Sequence, residues 1–526
     1  MMPEQALKDT LVTQKRTEMT IQKIKSSLIA FVFVFAAVGC EDPSGQNSTG
    51  GGGSTDEWGP TGARTEIYTY SNAVNPSRYY FVEVNGQNSL VIPCIDTPAE
   101  GQPEYEHNIC TFGCDGEVLV EVNSYSEAIT EAAILPKSRN YEYKIENGSL
   151  FFRMKPGDKV AVELNGKTDN DIFIFANPLE SDKPSETDPN VKYYKAGTVT
   201  DAGSIALASG QTIYIEGGAV VNGRISSTGT SDIAVRGCGI LNSYDNSVST
   251  RGIQITDASN VTIDGPILMN DSGWSTFIIE SDNVKINNYK AVAIWNPANN
   301  NGNENDALDL LGCTNAVVTG CFGYAHDDVF CVKSQKWTYG APVENIVFDD
   351  CIAWNHRSGN SFIIGAEINQ DVTDVTYRNC VSIRSAGNPG GTLNRAGLAV
   401  HNCAGSHVSD ILFENIVLED CLEYGIHLDI RKSYVNNLGN GVEYSPGTID
   451  GVTLRNIDIL KAPARGNFAF GYDEDHQIRN VVFGNVIQEG VKITQENLET
   501  YFDPSMSYSY SGKTYPNLSY IDISFE

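Results

Sequence analysis

Asp306 and the adjacent pair Asp327-Asp328 are the residues whose types and spacing most directly suggest chemistry, with Asp309 a candidate fourth carboxylate. Four strand-like segments can be laid over one another: Ala307-Leu308-Asp309-Leu310, Val329-Phe330-Cys331-Val332, Phe362-Ile363-Ile364-Gly365 and Leu398-Ala399-Val400-His401. The residues just before them are Asp306, Asp328, Ser361 and Gly397, and one step earlier lie Asn305, Asp327, Asn360 and Ala396. Stacked at the usual interstrand spacing of about 4.8 Å, these segments bring the three carboxylates together. Two full charges about 5 Å apart, at an effective dielectric near 20, repel by about 3 kcal/mol. The cluster is therefore best accommodated if one member keeps a proton near neutral pH. A protonated acid beside ionised partners suits glycosidic bond cleavage, in which one carboxyl protonates the leaving oxygen while another activates water. Calcium binding and solvated turn aspartates fit the same spacing, and the residues alone leave all three open.

Neighbouring residues favour a sugar. Trp274, Trp295, Trp337 and Trp354 fall around the aspartates, and tryptophan faces are natural platforms for pyranose rings. His326 adjoins Asp327 and could orient it, and Lys333 is a polar candidate close by. With Asp309 and Asn360, these residues are the expected substrate contacts.

Positioning such a cluster requires a stack of strands, and the second half of the chain repeats. A polar residue followed by aliphatic-x-aliphatic recurs at Asp232, Asn260, Asn283, Asn315, Asn345, Asp374, Asp410, Gly451 and Asn480, at intervals of 23 to 41 residues. Short repeated strands with Asn and Gly at the corners predict a parallel β-helix over 200–526. Six positions after four of these starts lie Cys238, Cys321, Cys351 and Cys380, where the other units carry Pro266, Tyr289, Ile416, Ile457 or Val486. A slot that accepts Cys, Ile and Val is a core column, so these thiols are expected to stack and not to bridge. Cys94, Cys110 and Cys114 leave room for one disulfide upstream. No Cys/His spacing resembles a zinc site, and neither a metal nor a cofactor is expected.

Residues 65–199 contain strand candidates such as Tyr80–Val84 and Val118–Val122, separated by turn signals such as Asn85-Gly86 and Asn147-Gly148. That pattern predicts an antiparallel β-sandwich. The whole is thus an all-β chain of 526 residues, its helix formers scarce and its hydrophobic content of 41% ample for a core. Lys and Arg number 36 against 66 Asp and Glu, a formal charge of −30 that excludes nucleic acid as a partner and disfavours anionic surfaces.

Lys23 and Lys25 precede a short apolar run from Leu28 to Val38 that ends at Gly39-Cys40. Residues 1–40 read as a secretory signal, starting in effect at Met19, whose closing segment looks like a bacterial lipobox with Cys40 the lipidated residue. The Gly/Ser-rich stretch 41–64 reads as a flexible tether. The expected location is therefore an exported lipoprotein on the outer membrane, touching the membrane only through its anchor.

Glu304-Asn305-Asp306-Ala307-Leu308-Asp309 and His326-Asp327-Asp328-Val329-Phe330-Cys331-Val332-Lys333-Ser334 together resemble the conserved segments of two related groups. These are the dextranase/isopullulanase family (glycoside hydrolase family 49) and the polygalacturonases (family 28). The resemblance implies an inverting glycoside hydrolase on a right-handed β-helix, free of metal, with Asp327 as general acid and Asp306 and Asp328 sharing the base role. The first family also carries an N-terminal β-sandwich. The polygalacturonase Gly-His-Gly segment would correspond to Gly359-Asn360-Ser361, and the uronate-gripping Arg-x-Lys would fall near Gly397-Leu398-Ala399-Val400, where neither cation occurs. A neutral α-linked polysaccharide such as dextran or pullulan is accordingly expected, with galactan or a sulfated polysaccharide as the alternative substrate. The rival functions are a polysaccharide lyase on the same solenoid and a glycan-binding lipoprotein without catalysis.

Overall fold

The computed structural model describes residues 58–94, 106–243, 251–271, 273–293, 305–336, 338–385, 395–431, 445–510 and 512–526. The signal and lipidation readings, the tether reading up to residue 57, and Trp295 and Trp337 lie outside these residues. Residues 58–64, expected as the end of the tether, are instead bonded to the sandwich, the Thr61 N–H donating to Asn85 Oδ1 at 3.1 Å and the Arg64 N–H to Asp115 Oδ1 at 2.8 Å.

A single 29-stranded sheet runs from Val191 to Phe525 with almost entirely parallel pairing, each strand bonded to the equivalent one a turn later. This is a parallel β-helix. The repeat seen in the sequence is its corner. Asp232, Asn260, Asn283, Asn315, Asn345, Asp374, Asp410 and Asn480 all adopt φ between 52° and 59°, and Gly451 takes 82°. Asn and Asp tolerate this left-handed conformation, which explains why the slot is confined to Asn, Asp and Gly. Adjacent corners also bond to each other: Asn260 Nδ2 donates to Asp232 Oδ1 at 2.8 Å and Asn283 Nδ2 to Asn260 Oδ1 at 2.6 Å. The aliphatic residue after each corner stacks in register, Ile233 on Val261, Val261 on Val284 and Val284 on Ala316. Cys321, Cys351 and Cys380 are buried thiols stacked in the adjoining column. Cys238, expected there too, is displaced by one residue, with Gly239 level with Pro266 in its place, and meets Tyr68 of the sandwich.

The helix begins at Val191–Tyr194, which pairs with Thr212–Ile215, and so starts before the boundary expected at residue 200. The aromatic run Lys192-Tyr193-Tyr194 has the composition of the preceding region, but its hydrogen bonds belong to the first turn of the solenoid.

Upstream, a six-stranded and a five-stranded sheet enclose a shared core that includes Val82, Phe112, Val120, Phe152 and Val162. One pairing departs from the expected antiparallel pattern, for Asn108–Cys114 runs parallel to Lys167–Pro178. The chain passes through the opposite sheet between these two strands, and such a long crossover allows it to return in the same direction. Cys94, Cys110 and Cys114 are buried thiols not joined to one another, so the bridge left open among them by the sequence does not form. The six-stranded sheet lays Ile109, Phe173 and Phe175 on Ile240, Phe322, Tyr324 and Trp354 of the β-helix.

Candidate active site

Pairing of Leu308 with Phe330, Phe330 with Phe362, and Phe362 with Leu398 sets the floor of the site. Counting back, Asp306 is level with Asp328, as the sequence suggests. On the next turn, however, Asn360 is level with Asp328, and not Ser361. The expected alignment slips by one residue there because the chain turns through Gly359, at φ 75°, before entering its strand.

That slip gives Asn360 a different role from the substrate contact expected of it. Its backbone N–H and Nδ2 both donate to Asp328 Oδ1, at 2.8 and 2.9 Å, and its own Oδ1 accepts from the Ala396 N–H at 2.9 Å. Asn360 is a buried clamp that fixes the Asp328 carboxyl.

Lys333 lies at the centre of the cluster. Its Nζ is 2.8 Å from Asp306 Oδ2 and 2.7 Å from Asp309 Oδ1, and 3.9 Å from both Asp328 and Glu367. The ammonium also sits 4.2 Å from the ring centroid of Trp274. Despite its burial, the carboxylates of Asp306 and Asp309 hold it charged well above the ordinary lysine range. Asp309 is fully enclosed, and burial together with the charge of Asp306 raises its carboxyl well above the usual value. Burial and then Asp306 push Asp328 up to about 7, against the opposing pull of Lys333. Burial and repulsion thus push both carboxyls toward keeping a proton, and Asp328, 3.9 Å from the ammonium, is the one placed to hold it while Asp309 stays paired with Lys333. Lys333 occupies the centre that a calcium ion bound by these aspartates would take, which argues against the calcium reading of the cluster.

Asp327 is less buried than Asp306, Asp309 or Asp328 and lies beside Gly359. His326 does not join the carboxylates. Its ring packs 5.1 Å from His356 and 5.6 Å from Tyr324, in the seam with the sandwich. Burial first, and then His356, lower its pKa well below the ordinary value, so it sits there as a neutral ring.

Two of the proposed sugar platforms are accounted for otherwise. Trp354, 1% exposed, packs edge-on against Phe173 of the sandwich at 5.9 Å with Arg384 over its ring. Trp274 is buried beneath Lys333 with Phe277 and Leu311. Glu367 was not legible as a site residue. It follows Gly365 and Ala366 outside the strand repeat, yet the level pairing of Lys333 with Gly365 brings it to the cluster.

Farther along the same face, His401 Nδ1 lies 2.8 Å from Asp429 Oδ1. Ligand atoms of His401, His427 and Asp429 fall within 4.8 Å of one another, a spacing that could hold a metal ion. Arg431 Nε is 3.1 Å from Asp429 Oδ2, so the carboxylate already has a cation and the group reads as an internal ion-pair network.

Among solved structures, Dex49A from Penicillium minioluteum aligns with 88% of this chain and 96% of its own, at 16% identity and a TM-score of 0.57. An exopolygalacturonase from Thermotoga maritima aligns with 58% of this chain and 85% of its own, at 17% identity and a TM-score of 0.48. The catalytic domain of a GH87 alpha-1,3-glucanase covers 89% of both chains at 11% identity and a TM-score of 0.41. No family model and no curated protein matches the chain. The likeness to Dex49A establishes a shared fold, which extends over nearly the whole of both chains.

Proposed function

We propose that this protein is a glycoside hydrolase acting by inversion on a neutral α-linked polysaccharide of the dextran or pullulan kind. The observation that carries the reading is the carboxylate cluster itself, in which Asp306, Asp309, Asp328 and Glu367 surround one buried ammonium. Such a site holds protons near neutral pH and ionised carboxylates side by side, the combination that glycosidic hydrolysis uses. The fold shared with Dex49A supports the same conclusion. A lyase needs a group to neutralise a uronate carboxylate, whereas Lys333 is committed to Asp306 and Asp309. The acidic surroundings likewise disfavour a sulfated or uronate substrate.

In this account Asp327 protonates the leaving oxygen, and Asp306 and Asp328 activate the water. Asp309 acts from below by balancing Lys333. A second assignment draws on the elevated Asp328, which could itself donate the proton. The signal-like N-terminus supports a lipid-anchored protein outside the cytoplasm that meets polymer at the cell surface.

The test is release of reducing ends from dextran, pullulan and polygalacturonate by the wild type and by Asp327→Asn. The expected result is activity on one of the glucans, lost in the variant; binding without products from any of the three polymers supports the glycan-binding alternative. A glucosyl or oligoglucosyl fluoride with the linkage of that substrate then assigns the roles, since fluoride departs without an acid. Asp327→Asn is expected to keep most of its rate on the fluoride, while Asp306→Asn and Asp328→Asn lose it. Retention by Asp328→Asn instead transfers the acid role to Asp328.

A further inference from the structure

The five-stranded sheet of the sandwich has an inward face in the core and an outward face, part of which is met by residues 58–61: Arg153 Nη2 donates to the Gly59 carbonyl at 3.4 Å and the Lys144 ammonium lies 5.8 Å from the Trp58 ring centroid. Tyr80, Val82 and Val84 point inward, so Phe81 and Glu83 point out. On the next strand Glu121 and Asn123 point out, followed by Tyr125, and on the strand beyond it so does Phe151.

Phe81 and Tyr125 form an aromatic pair with ring centroids 5.2 Å apart, and Tyr125 is 61% exposed. Phe151 lies two strands across from Glu83, level with it through Glu121 and about 10 Å away at the usual strand spacing, with the Lys144 ammonium 5.4 Å from its ring centroid. Between these platforms Glu83 directly faces Glu121 across the ladder. Like charges in that relation weaken a sheet, and an aromatic ring left largely in water, as Tyr125 is, forgoes burial. Asn123 Nδ2 donates to Glu121 Oε1 at 3.2 Å and leaves the second carboxylate oxygen toward the face.

We propose that this face is a second glycan-binding surface that holds a neutral glucan chain, a reading that rests on the hydrolase function above. Sugar C–H faces stack on Phe81, Tyr125 and Phe151, and ring hydroxyls donate to Glu83 and Glu121. The facing carboxylates repel a uronate or sulfated chain and accept from an uncharged one. The surface lies on the sheet opposite the one that contacts the β-helix, so polymer held here is retained independently of the carboxylate cluster.

The experiment is affinity electrophoresis of the full chain carrying Asp327→Asn, in native gels containing dextran or pullulan. Retardation in one gel is expected. Adding Phe81→Ala with Tyr125→Ala is expected to raise the apparent Kd about tenfold or more, as is the near-isosteric Glu121→Gln, which leaves the aromatic face intact. No retardation in either gel, or retardation that all three substitutions leave unchanged, overturns the proposal. Hydrolysis of a glucan by the wild type without such retardation removes this surface alone; face-dependent retardation without hydrolysis removes the hydrolase reading and leaves the surface in place.

Discussion

Replacing Lys333 with methionine is expected to destabilise the protein by about 3–5 kcal/mol at pH 7, the scale on which breaking one side of a buried ion pair acts. The ammonium is the shared partner of Asp306 and Asp309, and all three side chains are buried. Methionine fills similar volume above Trp274 but leaves those carboxyls without a counter-ion. The loss carries a pH signature. Asp309 and Asp328 already titrate above their ordinary values, through burial and the charge of Asp306. Without Lys333 both move higher still. A carboxyl whose folded pKa exceeds its unfolded one binds more protons when folded, so stability falls as pH rises between the two values. The variant should therefore recover part of its loss at pH 5 and be weakest at pH 8, as read by urea denaturation at each pH. Adding Asp309→Asn removes one stranded charge and should restore part of the stability. A loss under about 1 kcal/mol at every pH would show that Lys333 is not the counter-ion of the cluster.

The second large effect is on catalysis. A Cβ at Gly359 would lie 2.3 Å from Asp327 Oδ1 and 2.5 Å from both the Asp327 carbonyl carbon and the Asp328 nitrogen. Much of what it meets is backbone, so the clash cannot be relieved by rotating one side chain. Gly359 also has φ 75°, where an L-residue costs about 1–2 kcal/mol. Gly359→Ala should stay folded with a stability loss larger than that, because relieving the backbone clash adds to the strain. It should nevertheless lower kcat by about a hundredfold, because a displacement near 1 Å at a reacting group has that order of effect. Steady-state kinetics with a matched denaturation curve separate the two quantities. A kcat within threefold of wild type would mean that Asp327 need not hold its place.

How far the residues disclose all this depends on what kind of constraint acts on them. The solenoid is legible because its corners demand a backbone conformation that few residue types accept, so Asn283, Asn315 and Asn345 mark each turn in the sequence itself. The convergence of Asp306 with Asp328 follows from that register. Asn360 was misplaced because Gly359 absorbs one residue before the strand, a local turn with no periodic signal. The sequence suggested Lys333 as a contact for substrate, although its carboxylate partners lie on its own turn and on those either side of it. Trp354 shows the largest gap: aromatic composition suggested a sugar platform, and only the docking of Phe173 shows that this side of the solenoid is covered by the sandwich. Glu367 lies beyond the strand repeat, where spacing carries no information.

The most direct test of the central claim is a proton NMR time course of the first products released from the glucan that the wild type cleaves, followed at the anomeric position before mutarotation. An inverting hydrolase centred on Asp306, Asp327 and Asp328 releases the β-anomer first, which then relaxes to the equilibrium mixture, and the Asp327→Asn variant releases none. Initial release of the α-anomer would contradict inversion, and products at the wild-type rate from the variant would contradict the assignment of the chemistry to this cluster.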